Sequence, residues 1–194
     1  MDLKYKKTLR KIIVFASIAF LISVVGSYFW AKSNSEVIGS ILGKTINGIM
    51  NNLDTSSFKN FGVSLFLNNI RAVAVMTVMG FIPFLFIPIF SLILNGMIIG
   101  MLPVLIQRDF LRSMVFGILP HGIFEIPALV LGASLGTMLC ITLIKKIFRR
   151  DAVEIKVLLK YILTTYLKKI IPLLIIAAVV EAYITPLILM KVNF

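Results

Sequence analysis

Three ionisable side chains, Arg71, Glu125 and Glu181, stand deep inside long apolar stretches of this chain, and so do Asn95 and its one histidine, His121. Arginine and carboxylate make a charge-assisted pair. A histidine beside carboxylates can pass a proton or hold a cation. His121 and Glu125 are four residues apart, so a helix running through both sets them on one face. A lone charge at mid-membrane depth costs roughly 2.5–3.5 kcal/mol on insertion scales. Three such residues on three helices are therefore expected to converge, with Arg71 between Glu125 and Glu181. The second carboxylate would carry a proton or lean on His121 and Asn95.

Three readings of this cluster stay open. It can simply fix helix register, as polar residues do in membrane bundles. It can line a proton, ion or substrate pathway, or sense a partner. It can hold a metal through His121, Glu125 and Glu181. The His-x-x-x-Glu spacing alone is a weak metal signal, and Arg71 placed nearby would oppose a cation. Neither a metal nor a cofactor is therefore expected.

Catalytic residues are not expected either. One histidine excludes an H-E-x-x-H pair, and neither G-x-S-x-G nor a G-K-[ST] phosphate loop occurs. Any ATP-driven work would need a partner chain.

The elements that position these residues are membrane helices. The chain is 59% hydrophobic and only 14% charged, too few charges for a water-facing surface. The expected fold is all-α, a single polytopic domain over residues 1–194, with spans near 12–31, 61–82, 85–106, 114–144 and 170–190. Each span needs roughly 20 mainly apolar residues. Pro83 and Pro88 split one long apolar run into two helices. Pro120, Gly122 and Pro127 interrupt the fourth span, so a break near Pro120 is expected, facing protein or water. Amphipathic segments near 36–50 and 151–169 are expected to lie on the membrane. In the second of these, Lys156, Lys160, Thr164 and Lys168 form a polar stripe suited to anionic lipid or a cytoplasmic partner. Tyr28 and Trp30 suit the interfacial aromatic belt.

The formal net charge of +12 belongs to flanks of apolar runs rather than to a basic face, which argues against nucleic-acid binding. With the N-terminus in the cytoplasm, thirteen of the twenty Lys and Arg fall inside and six outside, Arg71 being buried in a span. That is the positive-inside pattern. Cys140 sits in an apolar run and reads as a packing residue. Gly96–Gly100 and Gly132–Gly136 are G-x-x-x-G pairs, which bring helices close, more often within a chain than between copies; a homo-oligomer stays open.

The runs Leu67-Asn68-Asn69-Ile70-Arg71, Leu94-Asn95-Gly96, Pro120-His121-Gly122-Ile123-Phe124-Glu125-Ile126-Pro127-Ala128 and Glu181-Ala182-Tyr183-Ile184-Thr185-Pro186 resemble the stage II sporulation protein M family of bacterial and archaeal membrane proteins. The resemblance covers about residues 61–190. It marks Asn69, Arg71, Asn95, His121, Glu125 and Glu181 as the matched polar positions. It implies a non-enzymatic multi-pass protein of the cell membrane working in a larger assembly. One implied role is a sporulation scaffold for cell-wall hydrolases. The other is a permease-like subunit of an ABC-type export or bacteriocin-immunity system driven by a separate ATPase.

Overall fold

The computed structural model describes residues 3–35, 58–105, 110–149 and 155–191. Among them, five helices are long and apolar enough to cross a membrane. Helix α1 is Leu3–Ser33, α2 is Phe58–Val78 and α3 is Ile87–Leu105. Helix α4 is Leu119–Arg149, entered through a turn at Phe110–Arg112 and a wide π turn at Ser113–Ile118. Helix α5, Ile155–Lys191, runs on through two π turns, Tyr166–Ile170 and Val180–Ile184. The expected amphipathic segment near 36–50 lies outside the described residues.

Helix α4 is the hub. In its most apolar stretch 72% of residues are buried, against 22–33% in the other four helices, whose remaining surface is left for lipid. It packs on α1, α2, α3 and α5. The reason is in its sequence: from Ala128 to Thr142 the chain offers Gly132, Ala133, Ser134, Gly136 and Thr137, all buried. Small residues let backbones approach, and dispersion then replaces the hydrophobic drive that lipid removes. Their hydroxyls are satisfied within the helix: Ser134 donates to the Val130 carbonyl at 2.7 Å and Thr137 to that of Ala133 at 2.8 Å.

Both glycine pairs work within the chain. A Cβ on Gly100 would collide with the Val24 carbonyl and the Ser27 hydroxyl of α1, and one on Gly136 would lie 2.9 Å from the Pro88 ring and 3.0 Å from the Met76 carbonyl. The first pair thus seats α3 on α1, and the second seats α4 against the end of α2 and the start of α3. Cys140 is buried and touches the Ile82 carbonyl, as a packing residue would.

Between α2 and α3 the chain turns through a 3₁₀ turn at Met79–Phe81. Phe84 and Phe86 then adopt left-handed backbone (φ 74° and 46°). Such values are uncommon for bulky residues, and here Pro83 and Pro88 bracket the reversal.

Two expectations change. The segment near 151–169 is not a separate helix on the membrane surface. Its described part, Ile155–Thr165, continues into the last span. Leu158, Ile162 and Thr165 are buried, while Lys156, Lys160, Thr164 and Lys168 stay exposed as one stripe. Nor does the fourth span break at Pro120. The irregularity is the π turn just before it, and the helix runs regularly through Gly122 and Pro127. A proline lacks the N–H that would bond one turn back; widening the preceding turn re-sorts those carbonyls, as π bulges do.

Candidate functional site

Helices α2, α3, α4 and α5 line a partly open cavity of about 480 Å³. Its polar lining is Asn69 of α2, His121 and Glu125 of α4, and Glu181 and Thr185 of α5; the rest is mainly aliphatic, from Leu65, Ile98, Ile99, Leu102 and Leu129 among others. Among the described residues, no Lys or Arg lines it. One ligand atom each from His121, Glu125 and Glu181 lies within 4.8 Å of the others. The Asn69 amide is within hydrogen-bonding reach of the Glu125 carboxyl. His121 Nδ1 is buried and has no hydrogen-bond partner among the described residues.

Local structure explains how the side chains meet. His121 and Glu125 share a face one turn apart, as their spacing requires. Glu181 sits in the π turn Val180–Ile184, where one extra residue per turn shifts the side-chain register. The Thr185 hydroxyl bonds the Val180 carbonyl, five residues back, at 3.3 Å. A second π turn, Ser113–Ile118, leads into His121, and Gly117 and Ile118 line the cavity. Single π turns in otherwise regular helices recur at functional sites. Asn69 lies nine residues after Asn60, where the second span opens, and Glu181 ten before Lys191, where the fifth closes. At 1.5 Å per residue both are roughly 15 Å from their span ends, near the bilayer midplane.

The structure thus unites Asn69, His121, Glu125 and Glu181, and leaves out Arg71 and Asn95. Arg71 is exposed on the outer face of α2 and does not line the cavity. This corrects the expectation of an arginine between two carboxylates. Arg71 is two residues from Asn69, about 200° further round a helix with 3.6 residues per turn. The two cannot face one cavity, and the inward side of α2 belongs to Leu65, Asn69, Val73, Met76 and Thr77. Asn95 is outside the cavity lining too, and its amide donates to the Ser91 carbonyl of its own helix at 2.8 Å.

One junction had no sequence signal. Thr77 of α2 lies 2.9 Å from the Gly132 carbonyl of α4 and 2.6 Å from the Tyr166 hydroxyl of α5. Tyr166 also reaches the Val73 carbonyl at 2.8 Å. With one proton each, the two hydroxyls donate two of these bonds at a time, tying three helices together. A threonine and a tyrosine 89 residues apart carry no spacing that announces this.

The comparison with protein families matches residues 14–186 to the model described as stage II sporulation protein M. The chain belongs to the stage II sporulation protein M family. An uncharacterized protein of Methanocaldococcus jannaschii is 28% identical over 188 residues, covering 91% of this chain and 82% of that protein. No solved structure matches. The family model reaches all five helices and covers every cavity-lining residue but Leu189, so His121, Glu125, Glu181 and Asn69 lie within the part matched to this sporulation-associated membrane protein family.

Proposed function

We propose that this stage II sporulation protein M family member is a non-enzymatic subunit of a larger assembly in the cell membrane, with its N-terminus in the cytoplasm. On this reading it docks a partner's transmembrane helix on the outer face of α2. The supporting observation is Arg71, which is exposed midway along its span, eleven residues from Asn60 and ten from Phe81. A guanidinium facing hydrocarbon there is costly. Asn68 is exposed beside it, with Leu67, Val75 and Val78 giving apolar contact. Charge complementarity calls for a partner helix carrying a carboxylate at mid-depth. A two-fold contact between copies of this face would set Arg71 near Arg71 and is disfavoured.

Within such an assembly, the family supports a sporulation scaffold for cell-wall hydrolases. A permease-like role beside a separate ATPase draws on the cavity and on the exposed Lys156, Lys160 and Lys168 stripe, which suits an acidic cytoplasmic partner or anionic lipid.

Photo-cross-linking from position 68 in native membranes, followed by mass spectrometry, tests the docking face. The expected product joins this chain to a membrane protein with an acidic residue in a span, is kept by Arg71→Lys and is lost in Arg71→Leu. Co-purification of hydrolases then supports the scaffold, and of an ATPase the permease. Cross-links to lipid alone, or a product unaffected by Arg71→Leu, would refute the reading.

A further inference from the structure

We infer that His121, Glu125 and Glu181 form a binding site for one divalent first-row transition metal ion, zinc being the best match to the donors. The site needs no partner on the docking face, though both rest on the outward placement of Arg71.

The donor set is one imidazole and two carboxylates, each a ligand type zinc accepts. Their ligand atoms already lie within 4.8 Å of one another. In a tetrahedral shell with bonds of about 2.0–2.2 Å, ligands sit about 3.3–3.6 Å apart. Side-chain rotation alone has to close a gap of this kind, since the three residues come from two helices already packed together. The backbone is in place; a rotamer shift completes the shell.

Two further observations point to a ligand. His121 Nδ1 is buried with no hydrogen-bond partner among the described residues. A buried imidazole nitrogen with nothing to bond is unfavourable unless something fills its coordination. The second is charge. Two ionised carboxylates with a neutral imidazole carry −2, and among the described residues neither Lys nor Arg lines the cavity. Among the described residues, the arginine at this depth that could have neutralised them, Arg71, faces out. A divalent cation balances the set. The objection that an arginine would repel a metal here is thereby removed.

Three protein ligands also leave a coordination position open toward the cavity of about 480 Å³. That is the pattern of an open zinc site rather than a closed structural one. Asn69, in reach of Glu125, is a positioning residue: it orients a metal-binding carboxylate rather than ligating the metal.

The test uses the full-length chain, tag-free, in mild detergent, stripped with chelator and titrated with Zn²⁺. The expected result is one Zn²⁺ per chain, with a raised thermal midpoint. His121→Ala and Glu181→Gln should each weaken binding at least tenfold. Asn69→Ala should weaken it roughly 10–100-fold, the range for residues that orient metal ligands. Asn95→Ala should bind as the unaltered chain does. X-ray absorption of the zinc-loaded unaltered protein decides the matter even if variants fail to fold. His121 is the chain's one histidine, so imidazole scattering assigns the site. An oxygen-only shell, or Zn²⁺ uptake equal in His121→Ala, would overturn the inference. So would no uptake at all, the behaviour of a cavity neutralised by protons alone.

Discussion

Replacing Arg71 by leucine separates the two placements of its side chain. In an inward pair with Glu125 or Glu181, truncation would strand a buried carboxylate and cost roughly 3–5 kcal/mol. Arg71 instead lies exposed on α2, outside the cavity lining. At the centre of a span, arginine costs roughly 2.5–3.5 kcal/mol and leucine gains roughly 0.3–0.6 kcal/mol on insertion scales. Arg71→Leu should therefore make insertion of the α2 segment about 3–4 kcal/mol more favourable. A glycosylation-based insertion assay on this segment reads that difference. For the isolated chain in detergent, where the guanidinium stays solvated, the midpoint of denaturation should hardly move. A loss of several kcal/mol in Arg71→Leu, restored by adding Glu125→Gln, would refute the outward placement.

Other outcomes follow from the packing and the charge pattern. Gly136→Leu should abolish the folded state, because even a Cβ there meets Pro88 and the Met76 carbonyl at 2.9 and 3.0 Å; the monodisperse peak in size-exclusion chromatography should be lost. Tyr166→Phe should destabilise by about 0.6–1.7 kcal/mol, from the average to the maximum measured for hydrogen bonds between membrane helices, read by steric-trap unfolding in bilayers. In a Cys140→Ala background, cysteine at position 34 should label from outside the cell and cysteine at 155 only after permeabilisation; the reverse pattern would invert the topology.

Much of the fold could be read from the sequence because the bilayer demands roughly 20 mainly apolar residues of every span. The proline pair Pro83 and Pro88 located a reversal, and G-x-x-x-G located two close helix approaches. Helix α5 was misjudged because its lysine stripe at every fourth residue is what an interfacial helix shows. The opposite face, Leu158, Ile162 and Thr165, instead packs inside the bundle. The cavity was legible in part. His121 and Glu125 follow from four-residue spacing, and Glu181 from depth. Depth alone says nothing about direction, and that is where Arg71 and Asn95 were placed wrongly. The two-residue offset between Asn69 and Arg71 already forbids a shared face, and it decides the matter once Asn69 is seen beside Glu125. The π turn that carries Glu181 ends two residues before Pro186, as the one leading to His121 ends two residues before Pro120, but a proline alone does not tell a widened turn from a break.

Oxygen accessibility of spin labels at positions 69 and 71, in a Cys140→Ala background reconstituted into bilayers, tests the central geometry most directly. Molecular oxygen partitions into hydrocarbon, so a label facing lipid relaxes fast and one turned into the bundle does not. The account predicts high oxygen accessibility at 71 and low accessibility at 69. High accessibility at 69 with protection at 71 would contradict it, returning Arg71 to the carboxylates and removing both the docking face and the anionic cavity.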